Sequence, residues 1–245
     1  MERWTGRVAV ITGASAGIGA AIAEELVKRG LKVVGLARRV EKMEELQTSL
    51  KSEKGEFHPI KCDVTKETEV KDAFNIIKNK FSGVDILINN AGSGFSNTLK
   101  EGPVDHWRAI IDLNVLALNI CTKEALEVMN ERGINDGHII HMNSVLGHYI
   151  INKGFLYTAT KHAVTVLTEG LRRELKQTNS RIKITSLSPG FVKTEFFEAN
   201  KIDEPEIEYI PYLTVKDIVD ATLYILGTPP NVQINELIIT PLYRV

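Results

Sequence analysis

The run Arg7-Val8-Ala9-Val10-Ile11, continued by Thr12-Gly13-Ala14-Ser15-Ala16-Gly17-Ile18-Gly19, decides the fold. Val8–Ile11 carries no polar break, which suits a strand covered on both faces. The glycine-rich turn comes next, and Ile22, Leu26 and Val27 then recur at helical spacing. Strand, glycine turn and helix in that order open a βαβ unit. Outward from it, Lys32–Leu36, Phe57–Lys61, Asp85–Ile88, His138–Met142, Lys183–Ser186 and Glu236–Ile239 read as further strands. Helical patterns cover Ile18–Arg29, Glu41–Lys54, Glu67–Lys80, Trp107–Met129, Ala159–Gln177 and Val215–Leu226. Their alternation predicts an α/β protein: a single-domain, Rossmann-type doubly wound parallel sheet with helices on both faces, spanning residues 1–245. Pro59 cannot donate to a ladder, so Phe57–Lys61 belongs at a sheet edge or a strand end.

Composition narrows the function. With 43% hydrophobic and 25% charged residues over 245 positions, the chain can bury a core without disulfide or metal staples. A net charge of −1 gives no electrostatic case for nucleic acid or an anionic membrane. Cys62 and Cys121 are too few for a disulfide framework and read as small buried hydrophobes in a reducing compartment. Val8–Ile11 is too short for a signal-peptide core, and no apolar run reaches the roughly 18 residues of a membrane span. The expectation is a cytoplasmic protein. The six histidines show no metal-ligand spacing, so no metal is expected. Only His148, close behind Ser144, is placed to face a substrate; Trp4 and Trp107 read as packing residues.

The turn Gly13–Gly19 has the form G-x-x-x-G-x-G. Small residues let backbone approach a pyrophosphate, and the helix N-terminus beyond offers free N–H groups and a positive dipole end. A plain tight turn is the alternative. Where an NAD site carries an acid after the second strand, this chain reads Ala37-Arg38-Arg39, and two guanidinium groups suit a 2′-phosphate. Arg38 and Arg39 could equally be solvated charges, one of them paired with Glu41.

Tyr157 and Lys161 are four residues apart, on one face of a helix. An ammonium beside a phenol favours the phenolate and brings its proton into working range. Ser144 follows the apolar strand His138–Met142, and Asn89-Asn90-Ala91-Gly92 ends another, where α/β sheets build their sites. Singly, each of these is also an ordinary strand-ending turn or a surface pair.

Together, Thr12–Gly19, Asn89–Gly92, Asn114, Ser144, Tyr157–Lys161 and Pro189-Gly190 resemble the short-chain dehydrogenase/reductase family in order and spacing. The resemblance runs from about residue 6 to 240. Within the family, Asn114–Leu118, Asp136–Ile140 and Thr168–Arg172 are similar to the animal branch called dehydrogenase/reductase member eleven and to insect NADP-dependent farnesol dehydrogenases. The resemblance implies that Tyr157 exchanges the substrate proton and that Ser144 bonds the substrate oxygen. It further implies that Lys161 lowers the tyrosine pKa and holds the nicotinamide ribose, and that Asn114 holds a water linking Lys161 to solvent. NADP(H) is the implied cofactor. Gly13, Ser15 and Ile18 would meet its phosphates, and Arg38 and Arg39 its 2′-phosphate. Asp63 and Val64 would flank the adenine, Asn90 and Gly92 the ribose, and Val192 with Thr194 the carboxamide.

The substrate expected is an apolar alcohol or carbonyl, a farnesol-type isoprenoid alcohol first, because Phe95, Tyr149, Ile150, Phe191 and Phe196 are apolar pocket candidates. Broad carbonyl or steroid ketone reduction is the alternative enzyme, and an NADP-binding regulator without catalysis the alternative from another class. Residues 191–213, aromatic-rich and acidic, read as a substrate lid or a solvated loop. Leu116, Leu118, Ile120, Val164, Val166 and Leu167 exceed one helical face, which, with the family likeness, points to a homodimer or homotetramer.

Overall fold

The computed structural model describes residues 1–95, 97–200 and 211–242, without the side chains of residues 197 and 199. Seven strands form one parallel sheet in the order β3-β2-β1-β4-β5-β6-β7. They are β1 (Val8–Thr12), β2 (Lys32–Ala37), β3 (Glu56–Lys61), β4 (Ile86–Asn89), β5 (His138–Met142), β6 (Lys183–Pro189) and β7 (Glu236–Ile239). The helices are α1 (Gly17–Lys28), α2 (Val40–Ser49), α3 (Glu67–Phe81), α4 (Val104–Ile111), α5 (Leu118–Glu131), α6 (Phe155–Gln177), α7 (Phe196–Ala199) and α8 (Val215–Gly227).

Side-chain alternation along β1 explains the two layers of helix. Ala9 and Ile11 join a core with Ile22, Leu26, Met43, Ile218 and Leu226, from α1, α2 and α8. Val8 and Val10 point the other way, toward Phe74, Ile77, Ala125 and Met129 of α3 and α5. Every β1 residue is therefore buried, the pattern of a doubly covered sheet. Trp4 and both cysteines are buried, as packing residues should be. β3, with Pro59, lies at the edge.

Three boundaries differ from the sequence reading. Glu41–Lys54 overruns α2, because Gly55 donates to the Val27 carbonyl and Glu56 to that of Leu31, drawing the chain into β3. The Trp107–Met129 pattern is not one α-helix: a π-helical turn, Asp112–Ala117, separates α4 from α5. Finally, α6 begins four residues before Ala159 because Gly154, in the left-handed conformation at φ 61°, starts it. Tyr157 is thus in its first turn.

Strand order reverses between β1 and its neighbours, and at that point the carboxyl ends of β1 and β4 leave the sheet side by side. Crevices of this kind are where open α/β sheets bind ligands.

Candidate active site

Thr12 ties the two turns of that crevice together. Its Oγ1 accepts from the backbone N–H groups of Asn90 and Ala91, each at 3.0 Å. Asn90 returns the tie, donating Nδ2 to the carbonyls of Thr12 (3.0 Å) and Gly13 (3.3 Å). The turn tolerates no bulk: a Cβ on Gly19 would lie 2.5 Å from both Asn90 Nδ2 and the Gly13 oxygen. Helix α1 starts without a side-chain cap and without an acid in its first turn, so its N-terminal N–H groups face the crevice unclaimed by side chains. This tight, cationic-ended cradle fits a pyrophosphate.

At the end of β2, Arg38 and Arg39 are exposed. Arg39 Nε donates to Ser15 Oγ at 3.4 Å, linking the β2 end to the glycine turn. Arg39 pairs with Glu195, not with Glu41. The Asp63 carboxylate accepts from the Thr65 N–H and hydroxyl, while Val64 is buried in the core. Val192 is buried as well, and Thr194 lies beside Gly17, whose added Cβ would meet it at 3.7 Å.

On the other side of the crevice, Ser144 caps the short 3₁₀ turn Val145–Gly147, its Oγ accepting from the Leu146 N–H at 3.1 Å. That turn is pressed against α6. A Cβ on Gly147 would stand 2.8 Å from the Lys161 carbonyl, and Thr165 Oγ1 donates to the Gly147 carbonyl at 3.0 Å. This packing brings the Ser144 hydroxyl close enough to the Tyr157 phenol to lower its pKa. Lys161, buried, donates Nζ to the Met142 carbonyl at 2.8 Å and lies 5.6 Å from the centre of the Tyr157 ring.

The electrostatics sharpen one expectation. Burial pushes the Tyr157 phenol up to about 12, and the neighbouring Ser144 hydroxyl acts the other way. Burial also lowers Lys161 to about 8. Ser144 is thus the side chain acting on the phenol, while the Lys161 ammonium is aimed at the Met142 carbonyl.

Asn114 sits in the π turn and is buried. Its amide donates to the Ser93 carbonyl (2.9 Å) and Thr160 Oγ1 (3.1 Å), and its Oδ1 accepts from the Ser93 N–H (2.9 Å). Both amide hydrogens are engaged, so any water held here must come to a carbonyl oxygen. Gly92 lies against this amide, a Cβ there reaching Asn114 Oδ1 at 3.4 Å.

Some predicted residues are elsewhere. His148 turns its ring to Ser188 (3.1 Å) and Glu236 (3.3 Å) on β6 and β7. Ile150 is 70% exposed. Phe95 stacks on His106, ring centres 4.2 Å apart. Phe196 does reach the site, its ring edge-on to Tyr157 at 6.0 Å and packed over Gly94. Sequence reasoning missed Gly94, Gly147, Thr160 and Ser93. Gly147 alone left a signal, as a glycine just past a strand end. Among the described residues, no group of three His, Cys, Asp or Glu could hold a metal ion.

Residues 7–205 match the short chain dehydrogenase family. The chain belongs to that family. It is 46% identical to dehydrogenase/reductase SDR family member 11 of Gallus gallus over 250 residues, covering 98% of each chain. It is also 46% identical to a farnesol dehydrogenase of Aedes aegypti over 245 residues, again 98% of each. An alcohol dehydrogenase of Thermococcus sibiricus, solved with 5-hydroxy-NADP, superposes with a TM-score of 0.86 at 29% identity, covering 98% of both chains. The chain is therefore an oxidoreductase of the short-chain dehydrogenase family.

Proposed function

We propose that this oxidoreductase uses NADP(H) to interconvert an alcohol and a carbonyl on an apolar substrate, a farnesol-type isoprenoid alcohol first among them. The observation that carries the reading is the convergence of Ser144 and the buried Lys161 on Tyr157, beside an uncapped phosphate cradle. When bound, the nicotinamide supplies the acceptor or donor of hydride. Gly13, Ser15 and Ile18 take its phosphates, Arg38 and Arg39 its 2′-phosphate, and Asp63 with Val64 its adenine. Asn90 and Gly92 meet the ribose side, Val192 and Thr194 the carboxamide, and Tyr157 with Lys161 the nicotinamide ribose.

The chain's own work is proton transfer and alignment. Tyr157 gives its proton to the carbonyl oxygen in reduction and takes it from the hydroxyl in oxidation. Ser144 donates to the same oxygen; because its Oγ already accepts from Leu146, its hydroxyl hydrogen is left to point at the site. The Lys161 ammonium stabilises the phenolate left when Tyr157 has given up its proton. Asn114 fixes the loop after β4 through Ser93 and holds a water at a carbonyl oxygen that leads from Lys161 to solvent.

Segment 191–213 serves as the lid in this reading. Its two ends are joined: Val192 bridges Leu213, Lys193 donates to the Leu213 carbonyl (3.0 Å), and Leu213 to that of Phe191 (2.8 Å). Phe196 of α7 lies over Tyr157. Residues 201–210 of this segment, Tyr209 among them, lie outside the described residues.

We further propose a cytoplasmic homodimer or homotetramer assembled through α5 and α6. Leu118 and Val164 are buried within the subunit, but Leu116 and Val166 remain 51% and 70% exposed. The thiols of Cys62 and Cys121, buried and unpaired with pKa values pushed up to about 12, suit a reducing compartment. No described helix is long and apolar enough to cross a membrane.

The test is oxidation of farnesol and shorter alcohols, and reduction of ketones including steroids, each with NADP(H) and NAD(H). NADP-dependent turnover of farnesol is expected. Turnover of ketones alone would favour the reductase suggested by the similarity to family member 11, and binding of NADPH without turnover of anything would leave only a regulator.

A further inference from the structure

Two cations from α2 converge on one carboxylate that belongs to the opposite side of the crevice. Arg39 Nη1 lies 3.8 Å from Glu195 Oε2, and Lys42 Nζ lies 3.8 Å from Glu195 Oε1. Arg39 is the N-cap of α2 and Lys42 is in its first turn. A helix N-terminus disfavours positive charge, and Glu41 is the one acid in that turn, so two cations gathered there call for a second anion to offset them. The N-cap itself has no side-chain hydrogen bond. Arg39 also reaches Ser15 of the glycine turn, which places the gathered charge between the cradle and the end of β2. Glu195 supplies the anion from the segment immediately before Phe196, the residue over Tyr157.

We infer that Glu195 is a built-in competitor for a phosphate monoester at this position, and that Lys42 belongs to the pocket that would bind it. The inference rests on the NADP reading, in which that monoester is the 2′-phosphate of the cofactor. All three side chains are about half exposed, and exposed ion pairs are weak, so a dianion can displace the carboxylate. Glu195 then lowers affinity for the phosphorylated dinucleotide without touching the unphosphorylated one. The start of the lid is held toward the adenine end only while no such phosphate is bound.

The experiment titrates 2′,5′-ADP and 5′-AMP, which differ only in the 2′-phosphate, into the wild-type protein, Glu195→Gln and Lys42→Gln by calorimetry. Glu195→Gln should bind 2′,5′-ADP about three- to tenfold more tightly, and Lys42→Gln about tenfold more weakly, since each changes a charge facing a dianion. Neither should move 5′-AMP by more than about twofold, and both effects should shrink at high salt. Unchanged or weaker binding of 2′,5′-ADP by Glu195→Gln would overturn the competitor, and unchanged binding by Lys42→Gln would remove it from the pocket. Wild-type protein that binds 5′-AMP as tightly as 2′,5′-ADP would instead overturn the NADP reading beneath both. Since all the side chains are exposed, neither substitution threatens the fold.

Discussion

Tyr157 shows how a weak acid is kept in place before its base is needed. Burial holds the phenol near 12, which keeps its proton available for reduction at neutral pH, and oxidation requires that proton to leave. Oxidation should therefore quicken as pH rises. Replacing Lys161 by Met removes the cation that favours the phenolate, so the inflection in the oxidation rate should move upward by about one unit or more. An unmoved inflection would take Lys161 out of the proton chemistry and leave it a ribose ligand. Tyr157, Lys161 and Ser144 were legible in the sequence because their order and spacing are a family pattern. The aim of Lys161 at Met142, and the pairing of His148 with Ser188 and Glu236, were not. Both depend on which strand lies next to which, and nothing local to these residues carries that information.

At the scale of elements, the alternation of apolar strands and amphipathic helices announced the sheet, and even the edge position of β3 followed from Pro59. The π turn at Asp112–Ala117 did not show, because the shifted stripe it produces, with Leu116, Leu118 and Ile120 beyond one face, reads equally as a helix with a second packing surface. Yet this turn is what presents Asn114 to Ser93 and Thr160. Asn114→Ala would leave the Ser93 backbone and the Thr160 hydroxyl without those partners, at about 1–3 kcal/mol. Thermal unfolding should register that loss, and KM for substrate should rise because the loop carrying Gly94 and Phe95 is no longer pinned. A variant as stable as the wild type would show that the π turn holds itself in place.

Considered as a whole molecule, the protein buries two neutral histidines in β5, His138 and His141, with pKa values lowered from 6.5 to about 3 by burial. An unfolded chain protonates them near 6.5 and the folded chain does not, so stability present above that pH is lost as pH falls toward 3. The loss is up to about 1.4 kcal/mol per pH unit for each. Urea midpoints should fall between pH 7 and pH 5, and His141→Asn should fall less; equal slopes would remove His141 from the account. Assembly is the other property of this scale. Light scattering at micromolar concentration should give a dimer or tetramer that Val166→Glu dissociates, and a wild-type monomer would exclude assembly through α6. The most direct test of the oxidoreductase account compares Tyr157→Phe with the wild type in NADPH titration and in steady-state turnover of farnesol. The account predicts NADPH affinity weakened by no more than about tenfold, since Lys161 still holds the ribose, and turnover lowered by about 10²–10⁴-fold, because the proton-carrying oxygen is gone. Near-normal turnover by Tyr157→Phe would contradict it.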